Sequence, residues 1–207
     1  MARLHPVITL PQYISLARRR RLVVQGEAVL EAKLDGYLVI AYENRLFMGS
    51  GRRAPSWVYK VLDIIGVDTS LIGGRVAYLE LYGRCLTPGG YHRRDRHCYR
   101  AALVDASRPY SWSSGVEDTI LFSQSLGLVD RLALAERIGA ETPPAKTVVL
   151  HRAPSAAVLR NMLTVFNEYE GYVLKLYRDK GHVLPPDHGA KLRGLLEVKV
   201  KHRAQLG

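Results

Sequence analysis

The stretch Glu31-Ala-Lys33-Leu-Asp35-Gly36 lies between two apolar runs, Ala28-Val-Leu30 before it and Tyr37-Leu-Val-Ile-Ala-Tyr42 after it. Short runs of this composition predict two strands, with the lysine at the end of the first. Asp-Gly is a turn dipeptide, because Gly accepts φ > 0 and Asp bonds back to local amides, so the spacing predicts a hairpin. Residues 27–49 would complete it, with Glu43-Asn44 as a second turn and Arg45-Leu-Phe-Met48 as the returning strand. A lysine on a rigid strand end has few rotamers to lose and a defined direction, which a nucleophilic amine needs. From these six residues alone, an ordinary hairpin with one exposed lysine is the better fit.

Further along, alternation and capping signals place the other elements. Leu10–Ala17 reads as a short helix. Ser56 to Gly66 reads as a helix with Ser56 as N-cap, Gly66 as stop, and Val58, Val61, Leu62 and Ile65 on one face. Gly73-Gly74 turns into the strand Arg75–Tyr82. Gly115 to Gly127 and Arg131 to Gly139 read as two short helices, and Thr147–Leu150 as a strand. Pro154-Ser155 opens a helix to about Tyr169, with Val158, Leu159, Met162 and Phe166 as its buried stripe. Strands follow Glu170 and end the chain, with a helical turn around Ala190 between them. Strands mixed with helices in this way imply an α+β fold with antiparallel sheets flanked by helices. Residues 1–26 read as a basic lead-in, and 27–207 as a single domain.

Three stretches gain meaning beside Lys33. They are Tyr78-Leu-Glu80-Leu-Tyr-Gly83, Glu170-Gly171-Tyr-Val-Leu-Lys175 and Leu195-Leu-Glu-Val-Lys199-Val-Lys201. With the lysine stretch, and in this order, they resemble motifs I, III, IV and V of the covalent nucleotidyltransferases: ATP-dependent DNA and RNA ligases and mRNA-capping enzymes. The run Lys-Leu-Asp-Gly-Tyr with arginines downstream looks closest to archaeal-type RNA ligases. The resemblance implies a nucleotidyltransferase (ATP-grasp-like ligase) domain without a C-terminal oligonucleotide-fold domain, and a partner protein could supply that missing part.

It also implies roles. Lys33 would attack the α-phosphate of ATP and carry a lysyl-AMP intermediate, with Lys199 and Lys201 as catalytic cations. Glu31, Asp35, Gly36, Glu80 and Lys175 would bind nucleotide, as would Arg52 or Arg53 in a Gly-rich loop. Glu170 and Glu80 would take Mg2+ or Mn2+, which prefer oxygen ligands. Where the family places an aromatic residue to stack on the base, this chain has Val104, with Tyr99 at the start of the same segment. The expected activity is therefore ATP-dependent polynucleotide ligation, RNA favoured over DNA. The alternatives are GTP-dependent guanylyl transfer to an RNA end and a catalytically lapsed nucleic-acid-binding protein.

Composition fits a polyanion partner. Net charge is +11, carried by 22 Arg and 8 Lys, and the planar fork of Arg suits phosphate. Arg18-Arg-Arg-Arg21 is either a solvated block or a phosphate contact. Three Asn and four Gln beside so many Arg hint at a thermophilic source. No apolar run is of membrane-spanning length and the N-terminus lacks a secretory core, so the default expectation is a cytoplasmic protein with no membrane partner. Two cysteines, Cys85 and Cys98, do not make a disulfide framework. With His92 and His97 their spacing admits zinc, but buried thiols or a single disulfide fit better.

Overall fold

The structure, a computed structural model, describes residues 5, 7–19, 22–87, 90–91, 96–109, 115–121, 123–185 and 193–202. In chain order the strands and α-helices are β1 (Ile8–Thr9), α1 (Leu10–Arg18), β2 (Gly26–Ala32), β3 (Gly36–Tyr42), β4 (Arg45–Met48), α2 (Ser56–Ile65), β5 (Val76–Tyr82), β6 (Leu86–Thr87), β7 (Gly90–Tyr91), β8 (Arg100–Pro109), α3 (Val116–Leu121), β9 (Ser123–Ser125), α4 (Leu128–Ile138), β10 (Ala145–Leu150), α5 (Ala156–Asn161), β11 (Gly171–Tyr177) and β12 (Leu195–Lys201). The fold is α+β, with antiparallel-dominated sheets. The chain divides into two compact units: Pro6–Leu34 with Pro144–Gly207, and Met1–His5 with Asp35–Pro143.

The unit built on Pro6–Leu34 and Pro144–Gly207 carries a five-stranded sheet in the order β1-β12-β11-β2-β10, antiparallel except for β1 beside β12. Side chains alternate between the faces of a strand. Ala28, Leu30 and Ala32 of β2, Tyr172, Leu174 and Leu176 of β11, and Leu196, Val198 and Val200 of β12 fill one face. Tyr13 and Leu16 of α1 pack on it, with Leu159, Leu163 and Phe166. Within the expected lead-in, β1 and α1 therefore contribute to a core. The other face carries the odd-numbered residues of these strands, most of them charged.

The unit built on Asp35–Pro143 has a wholly antiparallel sheet in the order β4-β3-β5-β8-β9. Strands β3 and β4 meet at Glu43-Asn44, where both residues have positive φ, the geometry of a two-residue hairpin turn. Val39, Ala41, Leu79, Leu81, Ala101 and Leu103 face the core side, closed by Val58, Val61 and Leu62 of α2 and by Leu134, Ala135 and Ile138 of α4. A disulfide joins Cys85 to Cys98. That excludes the zinc reading, whose His92 lies outside the described residues.

Several expectations are corrected. Strands β2 and β3 do not pair, so Asp35-Gly36 is not a hairpin turn; β2 belongs to one sheet and β3 to the other. Gly36 is instead needed for close packing, since a Cβ there would lie 2.0 Å from the Leu81 carbonyl oxygen. The N-cap of α2 is Pro55, and Ser56 is its first residue. The expected helix over 115–127 stops at Leu121, and Ser123–Ser125 pair with β8. Helix α5 tightens to 3-10 geometry at Met162–Phe166. The buried stripe is Leu159, Leu163 and Phe166, at ordinary helical spacing, so Val158 is 44% exposed and Leu163 is buried in its place. The helical turn expected around Ala190 lies outside the described residues.

Candidate active site

Three strands deliver charge to the polar face of the sheet that holds Lys33. Strand β2 ends at Ala32, whose N–H bonds to the Pro144 carbonyl at 2.8 Å. The Lys33 N–H then bonds to the Gly171 carbonyl at 2.9 Å, which fixes the lysine backbone against β11. Gly171 must be glycine: its φ is 148°, and a Cβ would fall 2.1 Å from the Val200 carbonyl oxygen. That close approach lets β12 run beside the residue that follows Glu170, with Gly171 opposite Lys201.

The result is a three-residue cluster. The Lys33 Nζ bonds to Glu170 Oε2, and Lys201 Nζ bonds to Glu170 Oε1. Lys33 Nζ also donates to the Leu34 carbonyl at 3.3 Å. Lys33 is 21% exposed and Glu170 26%, so the cluster lies at the surface without being fully solvated. Partial burial pushes the Glu170 carboxyl up, but hydrogen bonds from Lys201 and Lys33, with their charges, outweigh it. Its pKa falls below the ordinary carboxylate value, and the group is held ionised.

One layer deeper on the same face lies a second cluster. Lys175 Nζ is 2.7 Å from Glu31 Oε2 and 3.3 Å from Glu197 Oε1, with all three side chains buried. Lys175 stands directly opposite Glu197, and Lys199 opposite Val173, between the two clusters. Thus Glu31, Lys33, Glu170, Lys175, Lys199 and Lys201 come together in one unit. Glu197 was not among the residues expected from sequence; the signal was its two-residue spacing from Lys199. His182 was also missed. It is buried, with Nδ1 accepting from the Gln25 N–H at 3.2 Å and Nε2 3.1 Å from the Glu27 carbonyl oxygen, so it fixes the start of β2.

The remaining candidates belong to the other unit. Asp35 and Gly36 are exposed where β3 begins. Glu80 is partly exposed on β5, paired with Leu38 on one side and Ala102 on the other. The loop carrying Arg52 and Arg53 is tied down through its backbone, with the Met48 N–H donating to the Arg52 carbonyl at 2.8 Å, and both side chains are exposed. Tyr99 is 3% exposed and packed in the hydrophobic core. Val104 packs against the cluster of Ile40, Tyr42, Phe47, Val76, Tyr78 and Ile120. Among the described residues, no helix is long and apolar enough to cross a membrane.

No family model matches the chain, and no curated protein matches it in sequence. Solved structures do. An archaeal ATP-dependent RNA ligase superposes with a TM-score of 0.60 at 14% identity, over 95% of this chain and 47% of its own. A variant of Naegleria gruberi RNA ligase solved with ATP and Mn gives 0.52 at 12% identity, over 92% of this chain and 58% of its own. An ATP-dependent DNA ligase from Aquifex aeolicus gives 0.52 at 14% identity, over 82% and 45%. The fold is that of a ligase nucleotidyltransferase domain. The chain spans about half the length of the solved structures it matches.

Proposed function

We propose that the protein is the catalytic module of an ATP-dependent polynucleotide ligase, with RNA favoured as substrate, acting through a lysyl-AMP on Lys33. The observation that carries this reading is the meeting of Lys33, Glu170 and Lys201 on one sheet face, from positions 137 residues apart in the case of Lys33 and Glu170.

In this state Lys33 is tied to Glu170. To act, Lys33 must leave Glu170 and lose a proton. Lys33 Nζ would then form a bond to the α-phosphorus as the bond to the bridging oxygen breaks and pyrophosphate leaves. Lys199 and Lys201 would offset the charge on the phosphoryl oxygens. Glu31 and Lys175, being buried, would hold the strand register that aims these lysines. Glu80, Asp35, Gly36 and Arg52 or Arg53 would serve the nucleotide. Glu170 has the carboxylate oxygens that suit Mg2+ or Mn2+, and fits such an ion once one of its two lysines has withdrawn; the ion would supply positive charge at the phosphates. AMP would then pass to a 5′-phosphate, to be displaced by a 3′-hydroxyl.

The test is incubation with α-labelled ATP or GTP and a divalent cation, followed by denaturing electrophoresis. Label from ATP that is acid-labile and absent from Lys33→Ala is expected. Label from GTP alone would turn the reading to guanylyl transfer. No label from either would leave a nucleic-acid-binding protein on a ligase fold.

A further inference from the structure

Helices α1 and α5 pack on the apolar face of their sheet, opposite the face that carries Lys33. Between them runs an open groove of about 470 Å³, the size of a site for a small ligand or a short length of polymer. Its two walls follow helical spacing. Leu10, Ile14 and Arg18 recur every four residues on α1, with Pro11 and Arg19 beside them, and Arg160 faces them from α5. Among the described residues, the lining holds three arginines and no carboxylate. Neither helix carries an acidic residue in its first turn. Arg18, Arg19 and Arg160 are exposed.

Arginines near a helix C-terminus are favoured by the helix dipole, which accounts for each one singly. It does not account for their facing one another across a groove with an apolar floor. We propose that this groove binds a single-stranded polynucleotide. Its phosphates would lie on the three guanidinium groups, and its sugars and base faces would rest against Leu10, Pro11 and Ile14. Charge complementarity selects this occupant: three phosphates match three guanidinium forks, and the chain as a whole carries +11. An apolar floor suits a strand whose bases are unpaired, because they can turn toward it. The proposal depends on the ligase reading only for the class of strand. It places the strand on the side of the sheet away from Lys33, so a bound RNA would be gripped at a distance from its reacting end.

The experiment measures binding of a labelled single-stranded oligoribonucleotide to the full chain across a salt series, without ATP. In the triple variant Arg18→Ala, Arg19→Ala, Arg160→Ala, affinity is expected to fall at least ~10-fold, and the slope of log affinity against log salt to shrink by about 2, the value for three single-strand phosphate contacts. The control removes three arginines elsewhere, Arg45→Ala, Arg137→Ala and Arg152→Ala, and should lose much less. Equal losses in the two variants would assign the binding to diffuse net charge and overturn the groove. So would an unchanged slope, or polyglutamate competing as well as RNA at equal charge, which would make the occupant an acidic peptide. Self-adenylylation is measured in parallel. It should be unchanged in the triple variant, and its absence from the wild-type protein would count against the catalytic reading without touching this one.

Discussion

The Lys175 ammonium lies 2.7 Å from the Glu31 carboxylate, and the two side chains are 1% and 2% exposed. Glu197 stands on the other side of the lysine at 3.3 Å. One buried cation thus holds two buried carboxylates that come from different strands. Lys175→Met would leave both acids without it. A loss of about 3–5 kcal/mol is expected from breaking a buried pair, read as a fall in the urea midpoint. Adding Glu31→Gln and Glu197→Gln to that variant should restore much of the loss, because the stranded charges are then gone.

Glu170 gives a pH signature. Its carboxyl is depressed in the folded protein, so its contribution to stability is present above the unfolded-state value and is lost as pH falls through the lower folded value. The melting temperature of the wild-type protein should therefore fall on acidification below the ordinary carboxylate range. Glu170→Gln should show a shallower acid limb. An identical limb in the two proteins would mean that the lysine contacts give Glu170 no differential stabilisation.

Tyr13 presents the opposite sign. It is fully buried on α1, and among the described residues its hydroxyl has no hydrogen-bond partner. Burial pushes its pKa well above the ordinary value of 10.0. The stability linked to its neutral form is present below that value and lost as pH rises above it. Tyr13→Phe removes the buried hydroxyl and should be neutral, or stabilising by up to about 1 kcal/mol at pH 7. Above pH ~10 it should lose less stability than the wild type. Both effects are read by thermal melts.

The Cys85–Cys98 bridge spans a sequence separation of 13. Cross-linking a loop of this length restricts the unfolded chain by about 3 kcal/mol. Reduction, or the pair Cys85→Ser and Cys98→Ser, should lower stability by about that amount in urea unfolding. Thiol titration under denaturing, non-reducing conditions should find no free thiol in the native protein.

Much of the fold could be read from the chain because its signals are local. The Glu43-Asn44 turn, the strands around Glu80 and Glu170, and the alternation of Lys199 with Lys201 all lie within a few residues. Partnerships between strands are not local. Nothing beside Lys175 announces that Glu31 and Glu197 will flank it, since that depends on β11 lying between β2 and β12. Asp35-Gly36 misled for the same reason: the dipeptide carries turn chemistry, but the strands on its two sides find other neighbours. The stripe of α5 was misplaced by one residue because adjacent apolar residues, Val158 beside Leu159 and Met162 beside Leu163, fit helical spacing in either phase. Tyr99 carried no local sign that its ring would be spent on the core.

The unit that bears Lys33 is assembled from two stretches of chain with Asp35–Pro143 between them, and this has a consequence for synthesis. Glu170 leaves the ribosome 137 residues after Lys33, on the order of ten seconds later at typical elongation rates. For most of that interval β2 has neither β10 nor β11 to pair with, and its apolar face waits for partners. The intervening segment, complete in sequence by Pro143, can condense first. A nascent chain stalled before Glu170 should accordingly hold one protease-resistant body and an unprotected lysine strand, because the cluster of Lys33, Glu170 and Lys201 forms only after all three strands have been made.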